Sequence, residues 1–222
     1  MKTGIIALAI FGTMASSATG TPAPDKLENI KLVSPDKTGG MPLMKALKSR
    51  KTTRDISGRE LSPKQLSELV WSANGINRKD GKRTSPAAQN RQEIDLYVVL
   101  KEGIYLYEAA THSLIPVVEG DYRKETGQQD FVEIAPVNLV FVLTAGKKGG
   151  SARRADREAE EDRIRMACIS AGCQTQNVSL YCASEGLGTT VRGWIDRERF
   201  SKAAKLQEGQ YILIAQTVGH PK

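Results

Sequence analysis

Six consecutive residues, Ser49, Arg50, Lys51, Thr52, Thr53 and Arg54, set three cations beside three hydroxyls. That mixture suits an anion, above all a phosphate. Arginine offers a planar fork to phosphate oxygens, lysine a point charge, and threonine a neutral donor. Taken alone, the cluster reads more readily as a solvated basic turn, so its meaning depends on what else the chain can bring to it. Pro86-Ala87-Ala88-Gln89-Asn90 is small and amide-rich, allowing close backbone approach and hydrogen bonds to a planar heterocycle. Glu185-Gly186-Leu187-Gly188 spaces two glycines so that a tight turn can bring its amides near a ligand, the plain alternative being a helix C-cap.

Other chemistries find little support. The chain has no G-x-x-x-x-G-K-[ST] loop, G-x-G-x-x-G fingerprint, G-x-S-x-G elbow or Cys/His metal spacing. Its two histidines, His112 and His220, make a poor metal pair, and His112 reads as a turn residue. Cys168, Cys173 and Cys182 fall in one helical stretch. The first and last share a side but lie about 21 Å apart along the axis, and a bridge needs Cα atoms within about 7 Å. They read as buried small hydrophobes, with one intermolecular bridge as the alternative. The net charge of +7 comes from interspersed residues without a long basic block, which argues against a nucleic-acid partner.

The elements that must position these stretches follow from patterning. Leu43 to Ser49 is a short helix feeding the cationic cluster. Ser62, Pro63 and Gln65 form a capping-box start for a helix with Leu66, Leu69, Val70 and Ala73 on its apolar face, closed by a left-handed cap at Asn74-Gly75. Residues 77–92 are a long polar loop of functional length. Ile94 to Leu100 is a strand, and Gly103–Tyr107 with Leu114–Val118 is a hairpin. Asp121 to Ile134 has a helical look, with Gln128 and Gln129 near its middle, and Val137 to Thr144 is a strand covered on both faces. A long helix runs from about Ser151 to Glu185, charged at first and then apolar nearly all round, which suits burial in a dimer interface. Ser201 to Leu206 is a short helix and Tyr211 to Val218 a final strand.

Residues 1–20 have the form of a targeting segment. Lys2 is the positive start, Ile5 to Met14 the apolar run, and Ser16-Ser17-Ala18 a small-residue cleavage site. The run is shorter than the roughly 20 residues needed to span a bilayer. No cysteine lies near the cleavage site and no twin arginine precedes it, which implies general secretion and a periplasmic or extracellular protein without stable membrane insertion. Residues 21–40 read as a strap or linker and 41–222 as one domain.

Taken in order over about residues 41–220, these segments resemble the flavin-dependent nitroreductase family. Ser49–Arg54 is similar to the family's N-terminal R-x-S-x-[RK] signature, which implies that Arg50, Lys51, Thr52 and Arg54 bind the FMN phosphate and ribityl chain. Pro86, Ala87, Ala88, Gln89 and Asn90 resemble a segment that reaches the flavin bound mainly by the other subunit. Gln129, ahead of Ala135-Pro136 and a strand, resembles an amide contact to the isoalloxazine. Glu185, Gly186, Leu187 and Gly188 resemble the loop whose backbone N–H approaches flavin N5 and O4. The hairpin and the Leu66–Gly75 run are similar to the SagB-type azoline-dehydrogenase branch, though Arg91-Gln92-Glu93 stands where that branch has Leu-Tyr-Pro. Many relatives continue past the position of Lys222 to a cation that completes the phosphate site.

The resemblance implies an α+β fold with a mixed, mainly antiparallel sheet flanked by helices, a homodimer with FMN at the interface, and ping-pong electron transfer to a small organic acceptor. No side-chain acid or base stands out, so the flavin carries the chemistry. The targeting segment gives the alternative its weight. Outside the cytoplasm there is no nicotinamide pool, and an exported flavin-binding or scaffold protein could keep the fold without redox turnover.

Overall fold

The computed structural model describes residues 27–144 and 160–222. The targeting segment and the charged first part of the long helical pattern, up to residue 159, lie outside them. A seven-stranded sheet with the order β1-β4-β3-β2-β5-β7-β6 forms the centre. Its strands are β1 (Ile30–Lys31), β2 (Ile94–Val99), β3 (Gly103–Glu108), β4 (Ser113–Glu119), β5 (Val137–Thr144), β6 (Gly188–Arg192) and β7 (Gln210–Gly219). The expected mainly antiparallel sheet is present, and every pairing among the described strands is antiparallel.

Alternation along β2 and β5 explains why both read as continuous apolar runs. Leu96, Val98, Leu139, Phe141 and Leu143 point into one core. That core is closed by α2 (Pro63–Asn74) and the long α4 (Glu160–Ser184), whose Leu69, Val70, Ala73, Ala171 and Val178 belong to it. Tyr97, Val99, Val140 and Val142 point the other way, to a second core around Phe200 of α5 (Arg197–Ala203). A strand buried on both faces cannot alternate polar with apolar.

The capping box of α2 forms as its sequence dictates. Gln65 N donates to Ser62 Oγ at 3.2 Å, and Ser62 N donates to Gln65 Oε1 at 3.0 Å. The helix does not end in a left-handed cap. Gly75 has φ −75°, and its reason is space, because a Cβ there would collide with the Trp71 ring.

The stretch Asp121–Ile134 is not one helix. A single 3-10 turn, Arg123–Thr126, is separated from the short α3 (Phe131–Ile134) by extended Gly127. Arg192 Nη1 takes the Thr126 carbonyl at 2.8 Å, and a Cβ on Gly127 would sit on that guanidinium. The carbonyl that would continue the helix serves a buried arginine instead. The helix expected at Ser201–Leu206 begins earlier, because Asp196 caps it by accepting from Arg199 N at 3.0 Å.

Nor is α4 apolar all round. Ser170, Gln174, Thr175 and Ser179 are among its buried residues, while Ile169 is 55% exposed. The buried hydroxyls of Ser170 and Ser179 donate back to carbonyls one turn earlier, those of Met166 and Thr175. The cysteines divide: Cys182 is buried as expected, Cys173 is intermediate, Cys168 is exposed, and all three are free thiols.

Candidate functional site

The helix α1 (Leu43–Ser49) delivers the chain to the cationic cluster, and Arg50 caps it by donating its N–H to Ala46 O at 2.9 Å. From Arg50 the backbone runs extended along β6. Thr53 N donates to Thr189 O at 2.9 Å, and Thr190 Oγ1 donates to Thr53 O at 2.6 Å. The approach is close: a Cβ on Gly188 would come within 2.9 Å of Thr53 Cγ2. Beyond Arg54 the chain pairs with the C-terminal residues. Lys222 N donates to Asp55 O at 3.2 Å, Ser57 N donates to His220 O at 2.8 Å, and Lys222 Nζ lies 3.3 Å from Asp55 Oδ1.

Three segments far apart in sequence therefore converge, and the cationic cluster stands next to the glycine loop. Lys51, Thr52 and Arg54 are exposed and Arg50 is half-buried. Among the described residues no carboxylate pairs with Arg50, Lys51 or Arg54, whereas Lys222 is committed to Asp55.

The glycine loop forms the helix C-cap that its sequence offered as the plain alternative. Leu187 N donates to Cys182 O at 2.8 Å and Glu185 N to Tyr181 O at 3.0 Å, while Gly186 takes φ +68°. This is a left-handed helix terminator. The amides of Glu185 and Leu187 are bonded back into α4, and Gly188 enters β6. A Cβ on Gly186 would meet nothing within 4 Å, so the space on its Cα side is open. Glu185 also borders a cavity of about 660 Å³ whose walls include Gly40, Met41, Trp71 and Tyr181. Its inner side is fixed by buried Glu68, which accepts from Tyr181 Oη at 3.1 Å and from Asp36 N at 3.1 Å. Burial and the Glu68 carboxylate push the Tyr181 phenol well up, which keeps it a neutral donor.

The Pro86–Asn90 segment forms a short 3-10 turn over a separate cavity of about 280 Å³, against Met166, Ala167 and Gln174 of α4. Gln89, Asn90 and Gln92 all have φ between 51° and 56°. Among the described residues, the walls of this cavity include neither Arg50–Arg54 nor the glycine loop.

Gln129 stands apart from both. It borders a small cavity of about 240 Å³ with Gly127, Asp196 and Arg199, and its buried Oε1 has no hydrogen-bond partner among the described residues.

Sequence patterning gave no role to Arg192, yet it organises this end of the sheet. It is 3% exposed. Its guanidinium donates to Thr217 Oγ1, Thr126 O, Thr126 Oγ1 and Asn138 Oδ1. With four neutral acceptors and no carboxylate partner among the described residues, burial pulls its pKa down to about 10. Patterning predicts no strand at Gly188–Arg192, and the signal for this residue is an arginine following Thr189, Thr190 and Val191. His112 occupies the β3–β4 turn as expected, at φ 49°, but its ring is engaged. Tyr107 Oη lies 2.9 Å from Nδ1, and Ser67 Oγ 2.8 Å from Nε2.

Comparison with known proteins bears on this arrangement. The nitroreductase family model matches residues 47–220. A crystal structure of a nitroreductase-type protein from Ralstonia eutropha superposes with a TM-score of 0.80 at 40% identity, covering 88% of this chain and 90% of that one. A nitroreductase-type protein of Methanocaldococcus jannaschii is 26% identical over 180 residues, 77% of this chain and 86% of its own. An NADPH:FMN oxidoreductase of Vibrio harveyi, solved with NAD+, shares the fold at a TM-score of 0.57 and 16% identity, covering 81% of this chain and 69% of that one.

Proposed function

The chain belongs to the nitroreductase family, and from that footing we propose that it is an FMN-dependent oxidoreductase acting as a homodimer on a small organic substrate. The observation that carries this reading is the seam between Thr53 and Thr189–Thr190, which sets cations with no carboxylate partner among the described residues beside the glycine loop. The fit to FMN rests on chemistry. Arg50, Lys51 and Arg54 have no carboxylate partner among the described residues and can meet a phosphate, Thr52 adds a hydroxyl, and the space on the Cα side of Gly186 is open. Bound FMN would supply two-electron transfer in alternating half-reactions with donor and acceptor.

The chain's own contribution is binding and orientation. The cations anchor the phosphate, and the Gly186 amide offers a fixed donor to the reactive edge. Pro86–Asn90 approaches from the partner subunit. The role of Gln129 rests on the resemblance alone. Dimerisation gains support from the apolar side chains left bare on α1 and α4, namely Met41 just before α1, then Leu43, Met44, Leu47 and Ile169, each 37% exposed or more. No described helix is long and apolar enough to cross a membrane.

The targeting segment supports export, which would remove the protein from nicotinamide donors. The hairpin and the Leu66–Gly75 run support a place near the azoline-dehydrogenase branch. Arg91, only 5% exposed and 3.9 Å from Glu93, gives that region a different chemistry.

The test is the absorption spectrum of protein purified from its native cell envelope. A flavin spectrum that bleaches with a quinol or dithiol supports an enzyme. Bound flavin that no donor reduces selects the exported binding or scaffold reading, and colourless protein without FMN affinity ends the enzyme reading.

A further inference from the structure

We propose that the cavity beneath the Pro86–Asn90 turn binds a small carboxylate with an apolar body, held through its carboxylate by Arg83. This names the substrate class for the oxidoreductase reading and rests on that reading for the ligand's fate, though not for its binding.

The cavity, about 280 Å³, suits a molecule of one ring or a short branched chain. Pro86, Ala87, Ile94, Met166 and Ala167 supply apolar walls. Arg83 reaches it from the long polar loop. Its Nε donates to Gln92 Oε1 at 2.9 Å and its Nη1 to Asn74 O at 3.1 Å, both neutral acceptors. Among the described residues Arg83 has no carboxylate partner, and Nη2 keeps its hydrogen-bonding capacity. Burial lowers its pKa, and the charges of Glu108 and Asp95 act against that without pairing with it.

The surrounding charges leave that need unmet. Lys82 is paired with Asp80 at 2.8 Å. Glu93, the carboxylate lining the cavity, sits 3.9 Å from Arg91. Arg78, which also lines the cavity, donates to Asn77 Oδ1 and Arg83 O and adds to the positive field.

Two further observations point to a ligand. Gln174 lines the cavity at 3% exposure, and its Oε1 accepts no hydrogen bond among the described residues. The loop that fixes Arg83 is strained, because Gln89, Asn90 and Gln92 adopt left-handed φ values of 54°, 56° and 51° without being glycine. Such strain persists where surroundings hold it, and binding sites are where it gathers. Gln92 is the residue that clamps Arg83.

The experiment is calorimetric titration of the full chain with benzoate and with benzamide, with and without saturating FMN. The expected result is one benzoate per chain, benzamide at least about tenfold weaker, and Arg83→Met at least about tenfold weaker for benzoate. Arg83→Lys should recover part of the loss. Equal binding of the two probes in the unmutated protein overturns the proposal and requires no variant to fold. So does abolition of benzoate binding by FMN, which would assign the cavity to the flavin itself. Benzoate binding by a chain that never binds FMN supports the site while ending the oxidoreductase reading. FMN binding without benzoate binding does the reverse.

Discussion

The Thr190 hydroxyl donates to the Thr53 carbonyl at 2.6 Å across 137 residues of sequence. That bond, with the Thr53–Thr189 amide bond beside it, holds the cationic segment in register with β6. Thr190→Val keeps shape and burial but leaves the Thr53 carbonyl without its donor. The expected cost is about 1 kcal/mol of stability, with weaker FMN binding as the segment loosens. Urea unfolding and fluorescence titration with FMN measure the two effects separately.

Arg50 and Arg54 should each matter to FMN affinity without mattering to the fold. Neither has a carboxylate partner among the described residues, and Arg54 is exposed. Alanine at either position should weaken FMN about tenfold, the scale of one charge-assisted hydrogen bond to phosphate. The unmutated affinity should also fall with added salt, as contacts between exposed charges do. Unchanged affinity in both variants would remove the phosphate assignment.

Two glycines should separate conformation from space. Gly186 has φ +68° and open surroundings, so Gly186→Ala should cost about 1 kcal/mol for the left-handed backbone alone. Gly127 is extended, at φ 174°, a conformation any residue adopts. Yet Gly127→Ala should be the more damaging change, because the added methyl collides with the Arg192 guanidinium. Thermal denaturation of the pair gives the order.

Arg192→Met should cost about 3 kcal/mol. The side chain is similar in length, but Thr126 O, Asn138 Oδ1 and Thr217 Oγ1 each lose a buried donor. Chemical denaturation measures it. Loss of the Thr126 carbonyl contact should also raise amide exchange in residues 126–129.

His112 should make stability depend on pH. Its pKa is lowered from 6.5, chiefly by burial and against the raising effect of the Val33 carbonyl. A histidine kept neutral in the fold binds its proton more readily when unfolded. Its contribution is therefore complete above 6.5 and declines as pH falls through the lower folded pKa. His112→Gln should flatten that part of the profile, measured as urea midpoints from pH 7.5 downward.

Local chemistry was legible where it decides structure by itself. Ser62, Pro63 and Gln65 announce their helix because the three residues satisfy each other. The β3–β4 hairpin and the apolar β5 strand were equally plain. What escaped was fixed by partners remote in sequence. Nothing between Asp121 and Ile134 says that Arg192 will claim the Thr126 carbonyl and interrupt a helix. Gly75 looked like a helix terminator and is a seat for Trp71. Of the site, the cationic cluster and the glycine loop could be named from residue type, but their adjacency could not. Arg83 was one cation in a polar loop until the fold half-buried it with no carboxylate paired to it among the described residues.

The pairing of Asp55 with Lys222, like that of Thr53 with Thr190, also sets when the anchoring segment can exist. The β2–β3–β4 meander closes short loops and can form early, whereas contacts of such high sequence separation carry a larger loop-closure cost and form late. The cationic segment is thus a property of the finished fold and of no partly folded chain. A ligand that needs it binds the native state alone, and so raises the unfolding free energy by mass action in proportion to the logarithm of its concentration above the dissociation constant. A chain emerging unfolded from a translocation channel would have to complete its C-terminal pairing before it could retain the cofactor.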